Sequence, residues 1–426
     1  MKIDRPIISL FSGAMGLDLG LEAAGMRTAV AVEKNPIAVK TIQHNKREKL
    51  PVIQRQIEDV TTAEILNQAG LKPKEAFLLT GGPCCQSFST AGKRQSLSDG
   101  AGRGTLFRHF KRIVLEAQPR YFLMENVKGM LSAAVRHRPL DQRGPGFPPL
   151  SPDEELGSAL KVIREELAEL NYYVIFGLVN CADYGVPQKR HRVVFIGSRD
   201  GEDVCIPETT HSKDGSDGKP RWVTLKEAMA DLCDSKPEFR TFSKDRHELL
   251  SHLKGGQNWT DLPEKLHRAA LGAAADTWGG RSGFCRRLAW DEPAPTLTTD
   301  PTGRATTLCH PSKTRPLTVR EYARLQQFPD DWQFAGSAGQ KYVQIGNAVP
   351  IGLGIAIGKM LLKVSKEAEK KGLATNAKTR LGKVVCPDAE LERRLQMRRK
   401  TQLHPSWRRK NASPEADRKW LSLVAA

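Results

Sequence analysis

Residues 7–33 constrain the fold more than any other stretch. Ile7 to Phe11 is a short apolar run, followed by Ser12-Gly13-Ala14-Met15-Gly16 and a helical pattern through Leu17, Leu21 and Ala24. Gly25 ends that helix, and Thr28 to Val32 is a second β-rich run that closes on Glu33. Strand, glycine loop, helix, strand and acid in this order is the first half of a nucleotide-binding α/β sheet. Glycines let the backbone approach a ligand, and a carboxylate ending the second strand can accept hydrogen bonds from ribose hydroxyls. A glycine loop alone is as readily a tight turn before a helix. The acid 17 residues after Gly16 favours nucleoside binding. No G-x-x-x-x-G-K-[ST] occurs, which disfavours a P-loop nucleotide hydrolase.

The rhythm continues. Ala76 to Thr80 reads as a buried strand ending at Gly81-Gly82-Pro83, and Tyr121 to Met124 as another ending at Glu125-Asn126. A helix is expected from about Glu154 to Leu170, then strands at Tyr172 to Val179 and Val193 to Ile196. Alternating helices and near-continuous apolar strands predict an α/β fold with a mostly parallel, doubly wound sheet over 1–198. From 199 to 284 the chain turns polar, with short helical patches at Leu225 to Leu232 and Leu262 to Leu271. This reads as a smaller, irregular second domain. Residues 285–362 return to the first domain through helices at Pro316 to Phe328 and Ile351 to Leu362. The remainder, 363–426, is a polar tail with 17 Lys/Arg against 7 Asp/Glu.

Charge narrows the partners. Lys and Arg number 66 against 48 Asp and Glu, a formal charge of +18, and such an excess favours a polyanion, most commonly nucleic acid. The tail holds much of it, and a solvated helix there is as good a reading as a non-specific DNA contact. Eight scattered cysteines without a C-x-x-C pair argue against a disulfide scaffold and a structural zinc, and no metal is expected. Without a long apolar run or a secretion signal, the chain is expected to be cytoplasmic and not membrane-bound.

In an open α/β sheet, ligands bind beyond the carboxyl ends of the strands. Gly81-Gly82-Pro83-Cys84-Cys85-Gln86-Ser87-Phe88-Ser89 sits at one such end, where a turn can present an activated thiolate. Most free cysteines are buried hydrophobes, but the two glycines and the proline favour an exposed, held nucleophile. Glu125-Asn126-Val127 sits one strand over, and a carboxyl group there can give a proton or a hydrogen bond to a ring nitrogen. In Gln188-Lys189-Arg190-His191-Arg192, two arginines at i, i+2 on an extended segment should point the same way as paired donors.

Taken in order, these blocks resemble the DNA (cytosine-5) methyltransferase family from about Ile7 to Leu362. The further matches are Asp59, Arg103 to Phe107, Pro295-Thr296-Leu297-Thr298 and Gln344-Ile345-Gly346-Asn347-Ala348-Val349-Pro350. The resemblance implies S-adenosylmethionine as methyl donor, with S-adenosylhomocysteine as product, on a Rossmann-like methyltransferase sheet. Phe11 would stack on the adenine, Glu33 would hold the ribose, and Asp59 would reach the adenine amino group. Gly13, Gly16, Pro83, Leu106, Asn347 and Val349 would complete that pocket. The spacing C-Q-x-F-S carries the nucleophile to Cys85, beside Gln86. Two departures stand out: Cys84 occupies the place of the family's usual proline, and Met15 that of a loop glycine. Glu125 would assist at ring nitrogen 3 and the exocyclic amine, and Arg192 at the carbonyl oxygen, with Arg190 supporting the pocket or meeting a phosphate. The irregular segment would be the target-recognition domain, where Arg281, Arg286, Arg287 and Gln257, with Ser89 and Arg103 elsewhere, would meet DNA.

The implied partner is double-stranded DNA, bound by a monomer, with a cognate restriction endonuclease as a possible companion. A dehydrogenase would share the glycine loop and Glu33 but leave Cys85, Glu125 and Arg192 without a task. A transfer-RNA cytosine methyltransferase and a catalytically silent DNA-binding relative are the nearer rivals. The recognition-sized insertion favours DNA, and the complete catalytic set favours an enzyme.

Overall fold

In the computed structural model, residues 4–46, 49–83, 105–139, 142, 147–276 and 281–402 are described. The first run is β1 (Pro6–Leu10), α1 (Gly16–Ala23), β2 (Arg27–Val32), α2 (Pro36–Lys46), β3 (Val52–Ile53), α3 (Thr62–Ala69) and β4 (Leu78–Gly81). Next come α4 (Thr105–Ala117), β5 (Tyr121–Val127), α5 (Ser158–Ala168), β6 (Tyr173–Asn180), β7 (Gln188–Lys189) and β8 (His191–Ser198). The smaller region contributes α6 (Leu225–Met229), α7 (Lys244–Ser251), α8 (Glu264–Leu271) and β9 (Ala294–Pro295). The chain ends with α9 (Val319–Leu325), α10 (Ala338–Asn347), α11 (Ile351–Lys371), α12 (Ala377–Arg380), β10 (Val384–Val385) and α13 (Ala389–Gln402).

Eight strands form one sheet in the order β10-β6-β8-β5-β4-β1-β2-β3, and β7 pairs with β9 separately. All neighbours in the large sheet are parallel except β8, which runs antiparallel to both β5 and β6. Successive strand residues face opposite sides, so Ile8 and Leu10 pack into one apolar layer and Ile7 into the other. Helices cover both faces, as the apolar strands require. Strand order reverses between β1 and β4, and the crevice beyond their carboxyl ends is where such sheets hold ligands.

Helix α11 locks the return of the chain onto α1. A Cβ at Gly20 would lie 2.3 Å from the Ile351 carbonyl oxygen, and one at Gly354 2.7 Å from that of Leu17. Only glycines allow backbones this close. The stretch Ala338–Lys371 is long and apolar enough for a membrane span, but 67% of that window is buried inside the protein.

Several boundaries differ from expectation. Strand β5 runs through Val127, so Glu125 and Asn126 lie within the ladder instead of at a turn. Helix α9 starts only at Val319, because Thr318 and Glu321 form a capping box there. Beyond 363, β10 adds an edge strand to β6, and Leu391 and Leu395 of α13 pack onto the main core. The small region's cluster of Leu249, Leu250, Leu253, Leu262 and Ala270 also takes in Cys285 and Cys309, beyond the expected limit at 284. Leu225 and Met229 pack instead with Leu317 and Tyr322 of the returning segment.

Candidate active site

The loop after β1 turns on left-handed residues: Phe11 (φ 56°), Gly13 (φ 53°) and Met15 (φ 66°). Glycine suits that region, and two side-chain residues there signal a geometry the surroundings enforce. Glu33 does part of this. One carboxylate oxygen accepts from the Gly13 N–H at 2.8 Å and the other from the Asn35 N–H at 2.7 Å. Each oxygen keeps a further lone pair, so the carboxylate can still take ribose hydroxyls. Met15, where a glycine was expected, buries its side chain against Ala31, Ile42 and Leu50, away from the loop's open side.

The closing segment and the end of β4 both meet this loop. A Cβ at Gly16 would lie 2.4 Å from the Val349 carbonyl oxygen, so the closing segment touches the start of α1. Gly81, at the end of β4, has Phe11 alongside, 3.2 Å from where a Cβ would stand. Pro83 and Leu106 are buried, whereas Asp59, ending the 3-10 turn Ile57–Asp59, and Asn347, ending α10, are exposed. The donor set, with a ribose-type carboxylate, a bare backbone loop and an aromatic ring at the switch point, fits an adenosyl ligand.

The base-handling end follows from strand register. Val127 faces Arg192 across the β5–β8 ladder, so Glu125, two residues back, lies diagonally on the same face. Glu125 Oε1 and Arg192 Nε form an ion pair at 2.5 Å, both side chains nearly buried. Arg192 also donates through Nη1 to the His191 carbonyl at 2.8 Å. Gly82 leaves the carboxylate its room, since a Cβ there would lie 3.1 Å from Glu125 Oε2. Asn126 points the other way and donates to the Pro83 carbonyl at 3.1 Å. That bond ties β5 to the residue just before Cys84 and Cys85. Cys84, Cys85, Gln86, Ser89 and Arg103 lie outside the described residues.

Arg190 requires a correction. It sits at the break between β7 and β8, so strand alternation with Arg192 is lost. Its side chain is buried and meets no open surface, which rules out a phosphate contact. It donates to the carbonyls of Leu297 (3.0 Å), Gly346 (2.8 Å) and Ala348 (3.0 Å). Gln188 and Gln326 complete the network. Gln188 accepts from the Leu297 N–H at 2.9 Å and donates to Gln326 at 3.1 Å, while Gln326 Nε2 donates to the Ile345 carbonyl at 2.6 Å. The last carbonyls of α10 lack intrahelical donors, and Pro350 has no N–H to offer Gly346. A guanidinium there satisfies them and suits the negative end of the helix. Arg190 thus fixes the segment bearing Asn347 and Val349. Gln326 gave no signal in the sequence, whereas Gln188 did.

Among the DNA-contact candidates, Arg287 is corrected likewise. It is buried and donates to the carbonyls of Leu250 (2.7 Å) and His310 (3.1 Å) and to Thr314 Oγ1 (2.7 Å), so it holds the small domain together. Burial lowers Arg286 to about 10, and its Nε has no hydrogen-bond partner among the described residues. Arg281 and Gln257 are half-buried, and Gln257 Oε1 accepts from the Lys254 N–H at 2.7 Å. Among the described residues no group of three or more His, Cys, Asp or Glu could hold a metal ion.

A mostly parallel sheet with these loops at its switch point is the architecture of a Rossmann-like methyltransferase. It is shared with a solved DNA modification methyltransferase encoded in an Escherichia coli prophage, at TM-score 0.55 and 26% identity over 85% of this chain and 100% of that one. Within that class, the chain belongs to the C-5 cytosine-specific DNA methylase family, whose model matches residues 6–363. It is 37% identical to the Type II methyltransferase M.Sau96I of Staphylococcus aureus, over 84% of this chain and 76% of that protein. It is 35% identical to the Type II methyltransferase M.Eco47II of Escherichia coli, over 86% and 80%. The chain is accordingly a cytosine-5 DNA methyltransferase.

Proposed function

We propose that the protein methylates carbon 5 of cytosine within a specific duplex sequence, through base flipping and a transient bond between Cys85 and carbon 6. The observation that carries this reading is the Glu125–Arg192 pair, nearly buried and one strand from β4, whose end precedes Cys85 in sequence. Carbon 5 of cytosine is too weak a nucleophile to take a methyl group unaided. Addition of the Cys85 thiolate at carbon 6 makes the ring an enamine and pushes electrons to carbon 5. Glu125 takes up that charge by protonating or hydrogen bonding ring nitrogen 3 and the exocyclic amine, and Arg192 holds the carbonyl oxygen at position 2. Bound S-adenosylmethionine supplies the methyl group from its sulfonium. Loss of the carbon-5 proton then expels the thiolate and restores the ring.

Phe11, Glu33, Asp59, Asn347 and Val349, with the Gly13–Gly16 backbone, Pro83 and Leu106, hold the donor. Flipping a stacked base costs a few kcal/mol, which DNA contacts must offset. Arg281, Arg286 and Gln257 remain candidates for those contacts, together with Ser89 and Arg103. The enzyme acts as a monomer in a prokaryotic cytoplasm, and a companion endonuclease would cut the same sequence when unmethylated.

The test is a duplex carrying 5-fluorocytosine. Fluorine cannot leave as a cation, so the thioether to carbon 6 should persist and map to Cys85 by peptide mass spectrometry. A turnover-competent enzyme that forms no adduct, or one attached at Cys84, would overturn the assignment.

A further inference from the structure

We infer that Arg112 is a positioning residue of the donor pocket, fixing its adenine edge from helix α4. It rests on the reading that the turn ending at Asp59 meets the adenine. Arg112 Nη2 donates to the carbonyl oxygens of Val60 (2.9 Å) and Ile57 (3.4 Å), the two ends of that turn. Its Nη1 lies 3.4 Å from both Thr62 Oγ1 and Glu116 Oε2, and Thr62 donates to Glu116 in turn. One planar fork therefore grips the turn and the start of α3 together, a task a point-charge ammonium cannot copy. Ile57 and Val60 bury their side chains in the core while Asp59 stays exposed, so the turn is anchored from beneath and its acid faces outward. Arg55 adds one bond to the Asp59 carbonyl, at 3.3 Å, from an exposed and weaker position.

Placement on α4 matters. This helix begins at Thr105 and follows the segment that carries Cys85 in sequence, and within the described residues it is the element that reaches the donor turn. Arg112 does not touch the donor. It acts through the backbone that presents Asp59.

The experiment measures S-adenosylhomocysteine binding by titration calorimetry for Arg112→Ala, Arg112→Lys and Asp59→Ala, with methylation kinetics alongside. Loss of a charged fork on two carbonyls should weaken binding roughly tenfold in Arg112→Ala. The donor KM should rise with it while kcat at saturating donor holds, and Arg112→Lys should fall between. Weakened binding in Asp59→Ala with wild-type binding in Arg112→Ala would overturn the inference and leave the pocket reading standing. Wild-type binding in both would instead sink the adenine-edge reading itself. Should Arg112→Ala fail to fold, Arg112→Lys decides, since wild-type affinity there refutes the need for a fork.

Discussion

Replacing Arg190 by methionine removes its fork while keeping most of the stem's volume. In the wild type the guanidinium serves three carbonyls, those of Leu297, Gly346 and Ala348. Ala348 keeps a second donor in Gln326 Nε2 at 3.1 Å. Among the described residues no other donor reaches Leu297 or Gly346, and helix geometry cannot supply Gly346 because residue 350 is proline. Each orphaned buried carbonyl costs about 1–3 kcal/mol, partly offset because a charge need no longer be buried, for a net loss of about 2–4 kcal/mol. Urea unfolding followed by circular dichroism reads that loss. Function should suffer beyond stability, because the Gly346 carbonyl, freed by the substitution, adjoins Asn347, and Ala348, which loses one of its two donors, adjoins Val349. At a temperature where the variant is folded, affinity for S-adenosylhomocysteine should still fall severalfold. Wild-type stability together with wild-type donor affinity would refute the carbonyl-capping role.

Three further perturbations separate the remaining roles. Cys85→Ser should abolish methyl transfer in a label-incorporation assay while Cys84→Ala retains appreciable activity; the reverse pattern would move the nucleophile to Cys84. Arg192→Ala should lower kcat by about two orders of magnitude or more with donor binding preserved, as expected for a group that acts only on the base; loss of donor binding would count against that role. Asp18, fully buried in the first turn of α1, is pushed by burial up to about 7 from the ordinary 3.8, against the opposing hydrogen bond with Ser9. Because the folded state holds this proton more tightly than the unfolded chain, stability is full below about pH 4 and declines as pH rises towards 7. Asp18→Asn should therefore gain several degrees in melting temperature over the wild type at pH 8 and little at pH 4, and equal differences at both would refute the assignment.

Much of the fold was legible because buried parallel strands read as unbroken apolar runs and the first glycine loop and Glu33 are local in sequence. Glu125 and Arg192 were legible as chemistry, yet their pairing depends on β8 running antiparallel between β5 and β6, which no local pattern encodes. Arg190 and Arg287 misled for a single reason: an arginine that serves buried carbonyls looks like one that serves a phosphate until the carbonyls are in place. Gln326 and Arg112 were silent because the backbone carbonyls they serve lie 19 or more residues away in sequence. The edge strand β10 was missed because two valines in a basic tail carry no strand period.

The central assignment is tested most directly by incubating the purified protein with methyl-labelled S-adenosylmethionine and either duplex DNA or transfer RNA, then digesting each to nucleosides. Label in 5-methylcytosine from the DNA is the expected result, and bisulfite sequencing of the same DNA would then give the recognised sequence. Label confined to the RNA, or none in either with the donor still bound, would contradict a DNA cytosine-5 methyltransferase.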